Sequence, residues 1–195
     1  MRRVLVIDDH EPSRARLSGI LRECGYDVVG ELATGKGAVV FAHAKNPEVI
    51  LMAVGLPDID GIQAAEKIIQ SKPLPIVLLT SRYDAETIER AKSAGVMGYL
   101  VKPLRAEELR LTIELALSRF QQFASLREEN STLKESLEAR KTIERAKGLL
   151  MEQRKLSEAQ AYSLIKKASM NMRKPMADVA QAILLAGGLL AGDKR

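Results

Sequence analysis

The first 104 residues alternate short apolar runs with longer amphipathic stretches, the hydrophobic pattern of a parallel sheet wrapped by helices. Five short runs rich in aliphatic residues predict strands at Arg3–Ile7, Asp27–Glu31, Val49–Ala53, Ile76–Thr80 and Gly98–Val101. The intervening stretches predict helices at about residues 12–24, 33–45, 60–71 and 84–94, and a fifth helix is predicted after Pro103. This order predicts an α/β domain built on a five-stranded parallel sheet.

The pattern changes after this domain. Between Arg105 and about Arg154 there is no proline and the only glycine is Gly148, which predicts one long helix or two nearly continuous ones. Residues spaced alternately by three and four within it form the seam of a short coiled coil, namely Phe123, Leu126, Asn130, Leu133, Leu137 and Arg140. An asparagine in such a seam can fix register and favour a dimer. We expect a homodimer through this coiled coil; the alternative is a helix that packs on its own chain.

Two shorter helices are predicted beyond the long one. Ser157 and Gln160 have the spacing of a capping box, which starts a helix that runs to about Met170. Pro175 suits the first turn of another helix. Together with the end of the long helix, these two predict a small three-helix bundle. The predicted domains are 1–118 for the sheet domain, 119–139 for the coiled-coil linker and 140–190 for the bundle.

Composition and charge narrow the function classes. No stretch reaches the roughly 18 consecutive apolar residues of a transmembrane helix, so we expect no membrane partner. The start of the chain lacks the pattern of a signal peptide, and a single cysteine, Cys24, excludes an internal disulfide, so we expect a cytoplasmic protein. Residues 1–118 have a formal charge of −1 and residues 119–195 a charge of +6. A polyanion would therefore bind the C-terminal part, unless its lysines only solvate helix faces.

Polar side chains follow several of the predicted strands. Asp8 and Asp9 come directly after the first strand, Thr80 ends the fourth, and Lys102 follows the fifth. In a flavodoxin-like sheet, the carboxyl ends of the strands form the ligand site. A carboxylate pair can hold a hard cation there, while a hydroxyl and an ammonium can bind phosphoryl oxygens. The combination predicts a site for Mg²⁺ and a phosphoryl group.

The pieces VLVIDDH, LMAVGLPDIDG, IVLLTS and GYLVKP resemble the receiver domain of two-component response regulators over roughly residues 1–120. The resemblance implies a sensor histidine kinase as partner and Asp8 and Asp9 as metal carboxylates. It implies Thr80, Tyr99 and Lys102 as switch residues. The family's phosphoacceptor aspartate, four residues before the proline of the LPDIDG piece, corresponds to Ala53.

Ala53 departs from the family pattern in a way that changes the chemistry. A methyl group cannot attack a phosphodonor, so we predict that the chain is not phosphorylated and that Ala53→Asp restores the reaction. Loss of one anionic ligand should also weaken Mg²⁺ binding. Asp58 and Asp60 lie in the following loop, but the sequence places neither carboxylate where it could replace the missing nucleophile. Either Ala53 is an engineered substitution, which the otherwise intact receiver residues favour, or the receiver is naturally silent.

The C-terminal bundle is basic. Residues 139–187 hold 10 Lys and Arg against 4 acidic residues, a plausible footprint for phosphates. The pieces ERAKGLLM, LSEAQAY and KKASMNMRKPMADVA resemble the ANTAR domain of antitermination regulators over about residues 139–185. That resemblance implies binding to structured leader RNA with paired hairpins, which prevents a terminator from forming. The residues predicted to bind RNA are Arg145, Lys147, Gly148, Lys166, Lys167 and Arg173.

Other matching positions have two interpretations. Ala146, Tyr162 and Met170 could contact RNA but fit the bundle core at least as well, and Ser169 could shape the RNA-binding face. For the whole chain, the sequence predicts an RNA-binding antiterminator whose dimerisation the receiver controls. A DNA-binding response regulator and a phosphorylation-independent protein-interaction regulator remain as alternatives. We expect no enzyme, because no cleft-forming combination of His, Cys or Ser is visible in the sequence.

Overall fold

The computed structural model describes residues 1–81 and 84–192, with side chains described up to residue 186. Its strands are β1 (Arg3–Ile7), β2 (Asp27–Leu32), β3 (Val49–Ala53), β4 (Ile76–Thr80) and β5 (Gly98–Val101). Its helices are α1 (Glu11–Glu23), α2 (Gly35–Lys45), α3 (Gly61–Ser71), α4 (Ala85–Ser93), α5 (Ala106–Arg154), α6 (Glu158–Met172) and α7 (Met176–Gly192). The predicted α/β class with a parallel sheet is confirmed.

The sheet is parallel throughout and has the order β2-β1-β3-β4-β5. β3 and β4 are buried at every residue, as expected for apolar strands covered by helices on both faces. One core cluster packs α2, α3 and α4 on the sheet, and the other packs α1 and the first turns of α5. The strand order changes direction between β1 and β3, which places the predicted site at their carboxyl ends.

Local sequence signals explain where several helices start. His10 caps α1 by accepting a hydrogen bond from the backbone N–H of Ser13, and Pro12 lies in the first turn. Thr34 caps α2 by accepting a hydrogen bond from the backbone N–H of Gly37, and the helix forms despite its two glycines. It begins at Gly35, two residues later than predicted. Ser157 and Gln160 form the predicted capping box at the start of α6.

The chain divides into two compact units, residues 1–124 and residues 125–195. α5 is one continuous helix of 49 residues, as the lack of proline predicts. In the second unit, the end of α5 packs with α6 and α7 around a small core of Ala146, Leu150, Ala161, Ile165 and Val179. This is the predicted three-helix bundle. None of the described helices is long and apolar enough to cross a membrane.

Candidate functional site

The carboxyl end of the sheet brings together the polar residues that the sequence singled out. A cavity of about 370 Å³ at this edge is lined by Asp9, Ala53, Thr80 and Lys102, among others. Thr80 and Ala53 are the last residues of adjacent strands, β4 and β3, and both are buried. Lys102 follows β5, and its backbone N–H donates to the carbonyl oxygen of Thr80 at 2.7 Å. Tyr99 is half-buried in β5 and packs against the core cluster formed by α2, α3 and α4.

Asp8 is fully buried, and its charge is balanced within the chain. The ammonium of Lys102 forms an ion pair with one carboxylate oxygen of Asp8. The other oxygen accepts a hydrogen bond from the backbone N–H of His10 at 3.1 Å. Arg14 donates to the carbonyl oxygen of Asp8 at 2.6 Å, which fixes the main chain there. A buried carboxylate needs such partners, because an unpaired charge in the protein interior is very costly.

Ala53 ends β3 in a tightly packed position. Its side chain is 4% exposed. A Cβ atom at Gly61 would lie 2.1 Å from the carbonyl oxygen of Ala53, so only glycine lets the start of α3 pass this close. The backbone N–H of Gly61 donates to the carbonyl oxygen of Val54 at 2.8 Å. The main chain around position 53 is therefore held in place by α3.

The carboxylates of the two other aspartates near position 53 form hydrogen bonds at the starts of α2 and α3. Asp58 accepts hydrogen bonds from the backbone N–H groups of Gly35 at 2.7 Å and Lys36 at 2.8 Å. Asp60 caps α3 and forms an ion pair with Arg90 of α4. The structure thus gives both carboxylates a structural role, one at the start of α2 and one at the start of α3. The sequence did not reveal the Asp58 contact, because its partners lie 22 and 23 residues away.

The residues at this edge fit a magnesium ion poorly. Proteins hold Mg²⁺ with hard oxygen ligands, usually one or two carboxylates together with water and phosphate. Here Asp8 pairs with Lys102, and Ala53 presents a methyl group where the family has a third carboxylate. Over residues 1–81 and 84–192, no group of three or more His, Cys, Asp and Glu side chains is arranged to hold a metal. The metal role of Asp8 and Asp9 stays a prediction.

The second candidate site is the basic surface of the bundle. Arg145 on α5, Lys166 and Lys167 on α6, and Arg173 at the end of α6 are all exposed. Within the described part of the chain, none of these four cations forms a salt bridge. Lys166 and Lys167 lie within α6, and Arg173 is the residue that caps its carboxyl end in the left-handed conformation. Their charges are thus available to a polyanion.

Lys147 differs from these four residues. Its side chain is only 7% exposed, and its ammonium forms salt bridges with Glu144 at 2.9 Å and Glu158 at 2.7 Å. The hydrogen bonds to Glu158 and then to Glu144 raise the pKa of Lys147. The geometry does not support the predicted direct contact of Lys147 with RNA, because its ammonium is covered and already paired. The Glu144–Lys147 spacing of three residues indicates one of the two salt bridges, but no local pattern indicates that Lys147 is buried.

The structure separates the residues that had two interpretations. Ala146 is fully buried and belongs to the core of the bundle. Tyr162 is 45% exposed and Met170 is 70% exposed, so neither is a core residue. The Ser169 hydroxyl donates to the carbonyl oxygen of Lys174, which fixes the turn between α6 and α7. Tyr162 and Met170 therefore lie on the surface of α6, close to its exposed cations.

Gly148 lies inside α5 with its backbone exposed. A Cβ atom built at this position would meet nothing within 4 Å. No neighbour in the described chain therefore requires a glycine, although glycine costs a helix interior about 1 kcal/mol relative to alanine. If a close backbone approach explains this residue, the approaching group belongs to another molecule.

The predicted coiled-coil seam is exposed in the single chain. The side chains of Phe123, Leu126, Leu133 and Leu137 are between 52% and 70% exposed. Among the described residues, these four side chains belong to the hydrophobic core of neither unit. They form a stripe of exposed apolar residues along the middle of α5.

Residues 4–114 match the response regulator receiver domain, and residues 131–184 match the ANTAR domain. The chain is 43% identical over 183 residues to the transcriptional regulatory protein PdtaR of Mycobacterium tuberculosis, a match that covers 94% of this chain and 89% of that protein. It is 37% identical over 109 residues to the response regulator protein VraR of Staphylococcus saprophyticus, covering 55% of this chain and 52% of VraR.

Solved structures show the same relationship for the sheet domain. The signal receiver domain of a modulated diguanylate cyclase from Desulfovibrio desulfuricans G20 superimposes with a TM-score of 0.59 at 34% identity, covering 63% of this chain and 98% of that one. The receiver domain of the response regulator NarL from Mycobacterium tuberculosis gives a TM-score of 0.56 at 28% identity, covering 59% of this chain and 95% of that one.

The chain is a response regulator: it belongs to the receiver domain family and carries a C-terminal ANTAR domain. This confirms both resemblances. Receiver domains work with sensor kinases and generally bind Mg²⁺ at the phosphorylation site, and an ANTAR domain implies RNA binding.

Proposed function

We propose that this response regulator is an RNA-binding transcription antiterminator that recognises structured leader RNA with paired hairpins. The observation that carries the proposal is the set of four exposed cations without salt bridges on a domain of the ANTAR family. Phosphate contacts supply most of the affinity of such proteins for nucleic acid, and unpaired cations are the groups that make them. The similarity to a transcriptional regulatory protein along most of both chains supports the regulatory role.

The RNA-binding surface in this proposal has three parts. Lys166, Lys167 and Arg173 contact phosphates from α6, and Arg145 does so from α5. Gly148, one turn from Arg145, lets the RNA backbone approach the helix closely, which accounts for an exposed glycine whose added Cβ would meet none of the described residues packed beside the helix. Tyr162 and Met170 add apolar surface beside the cations of α6.

The receiver controls this activity through dimerisation in the same proposal. The exposed stripe along α5 pairs with that of a second copy as a coiled coil. In this chain the switch is not driven by phosphorylation, because Ala53 offers no nucleophile and Asp58 and Asp60 are held in other roles. Mg²⁺ binding is weakened, because Asp8 is paired with Lys102 and a third carboxylate is missing.

A mobility-shift titration tests the RNA-binding role. The full chain is titrated against a leader RNA with two hairpins and against duplex DNA of equal length, at several salt concentrations. We expect a preference for RNA, with affinity that falls as salt rises. Lys166→Ala should reduce the salt slope by roughly 0.7 to 0.9, the value of one phosphate contact. The matched control is Lys36→Ala, which removes an exposed lysine from the receiver and should leave the slope unchanged.

The same titration decides between this proposal and two others. Tighter binding to duplex DNA would identify a DNA-binding response regulator. Binding to neither nucleic acid would favour a phosphorylation-independent protein-interaction regulator, for which Ala53 is the supporting observation. Either result rejects the antiterminator.

A further inference from the structure

Three charged side chains form a cluster where α5 meets α6, which we call the junction triad: Glu144, Lys147 and Glu158. The Lys147 ammonium lies 3.0 and 2.9 Å from the two carboxylate oxygens of Glu144 and 2.7 Å from one oxygen of Glu158. The lysine side chain is 7% exposed, whereas the carboxylates are 56% and 69% exposed. The lysine therefore reaches outward from the core to two acids at the surface.

The triad connects two helices at the point where the chain turns between them. Glu144 lies in the last turns of α5, and Glu158 is the first residue of α6, directly after the Ser157 capping box. Below the triad, Ala146 and Leu150 of α5 share a core with Ala161 and Ile165 of α6. The salt bridges of Lys147 thus fix the start of α6 on α5, and α6 carries Lys166 and Lys167, two of the four exposed cations proposed to contact RNA.

Removing the Lys147 charge would have two effects on this surface. Glu144 and Glu158, both held near the same ammonium, would face each other without a counter-charge. Their combined negative charge would also stand beside the surface proposed to attract phosphates. Both effects disfavour RNA binding, and neither requires that Lys147 touch the RNA.

On this basis, and resting on the proposed RNA-binding function, we propose that Lys147 is a positioning residue: it supports RNA binding by pairing with Glu144 and Glu158, without contacting RNA. A lysine in direct contact with phosphate would act independently of these two glutamates. A positioning lysine would lose its importance once the glutamates carry no charge. The two roles therefore predict different results in a mutant cycle.

The test measures the affinity of the full chain for a two-hairpin RNA in two backgrounds, the native chain and a Glu144→Gln/Glu158→Gln double variant. Lys147→Met keeps most of the alkyl side chain and removes the charge. In the native background it should lower RNA affinity by about tenfold, because two carboxylates lose their partner. In the Gln background the loss should be less than about threefold. Lys166→Met, the matched control, should cause the same loss in both backgrounds.

An equal loss from Lys147→Met in both backgrounds would show direct phosphate contact and overturn the proposal, as would no loss in the native background. If Lys147→Met does not fold in the native background, the loss of RNA affinity measured in the Gln background alone tests the proposal. There the glutamates carry no charge to leave unpaired, and a loss of about tenfold would indicate a phosphate contact.

Thermal unfolding of the same variants separates this proposal from the proposed function. If the native chain binds no structured RNA, the antiterminator is rejected. The junction triad is then supported if Lys147→Met lowers the melting temperature much more in the native than in the Gln background. Equal decreases would reject the triad as well.

Discussion

The side chain at residue 53 lies beside groups that suit a phosphoryl transfer site. Thr80, Lys102 and Asp9 line the same cavity, and the start of α3 fixes the backbone at this position. A carboxylate attached here would border the same cavity as Thr80 and Lys102. The methyl group of Ala53 supplies neither a nucleophile nor an oxygen ligand for a metal.

We therefore predict that Ala53→Asp makes the chain accept a phosphoryl group from acetyl phosphate in the presence of Mg²⁺. The added carboxylate supplies both the nucleophile and a further oxygen ligand for the metal. A phosphate-affinity gel measures the reaction. The native chain should show no modification, and Ala53→Asp/Asp58→Asn should still react, because Asp58 is occupied at the start of α2. A shifted band from the native chain would contradict this assignment.

Asp58 gives a pH-dependent contribution to stability. Partial desolvation raises the pKa of its carboxyl group, but hydrogen bonds from the backbone N–H groups of Lys36, Ile59 and Gly35 outweigh it and lower the pKa from 3.8 to about 2. A carboxyl group whose pKa is lowered by folding stabilises the folded state above its unfolded pKa. This contribution is lost as the pH falls from 3.8 towards 2.

Asp58→Asn should unfold at lower urea concentration than the native chain at pH 5, because the amide is a weaker hydrogen-bond acceptor than the carboxylate. The difference between the two chains should shrink as the pH falls from about 4 to 2. Urea unfolding at a series of pH values measures it. A difference that stays constant across this range would show that the carboxylate charge plays no part.

Replacing Gly148 by alanine should have opposite effects on helix stability and on RNA binding. Gly148→Ala should raise the free energy of unfolding of the bundle by about 1 kcal/mol, because alanine is the better helix former and a methyl group meets no neighbour. The same change should weaken RNA binding, because the methyl group blocks close approach of the RNA backbone.

Thermal unfolding and RNA titration of one preparation measure both effects. Gly19→Ala is the matched control: Gly19 also lies inside a helix, α1, with nothing within 4 Å of a built Cβ atom. It should stabilise the receiver and leave RNA binding unchanged. RNA affinity that is equal or higher in Gly148→Ala would remove this glycine from the interface.

At the scale of elements, most boundaries follow from local signals in the sequence. Continuous apolar runs define β3 and β4, and cap residues such as Ser157 mark where helices start. What the sequence could not predict depends on contacts between distant segments. The burial of Lys147 requires α6 to fold back on α5, and the capping of α2 by Asp58 requires the loop after β3 to reach it.

The coiled-coil stripe of α5 leads to a prediction about assembly. Leu133 is 70% exposed in the centre of the stripe, and a lysine there would place a charge in the seam of a dimer. Leu133→Lys should keep the chain monomeric at concentrations where Ala53→Asp, once phosphorylated, forms dimers. Analytical ultracentrifugation measures the mass. Leu111→Lys changes a leucine of similar exposure outside the stripe and should not affect assembly. Dimers that persist in Leu133→Lys would place the interface elsewhere.

At the scale of the whole molecule, each chain has one bundle, so in the proposed complex with a two-hairpin RNA each copy of a dimer would bind one hairpin. Linking two binding events raises the overall affinity by an effective concentration, without any new contact. The gain exists only while two bundles are joined. Dimerisation controlled by the receiver would then control RNA binding, without any contact between the receiver and the RNA being needed.

Binding of one hairpin by each bundle makes the RNA affinity of a dimer depend on the number of hairpins. The phosphorylated Ala53→Asp dimer should bind a two-hairpin RNA about 10²-fold more tightly than a single hairpin. Adding Leu133→Lys should abolish that difference and leave the affinity for a single hairpin unchanged, because the RNA-binding residues of each bundle are untouched. Titrations of both RNAs against both proteins measure the four affinities. If Leu133→Lys lowers the affinity for the single hairpin as much as for the pair, α5 acts on the fold of the bundle, and bivalence does not explain the control.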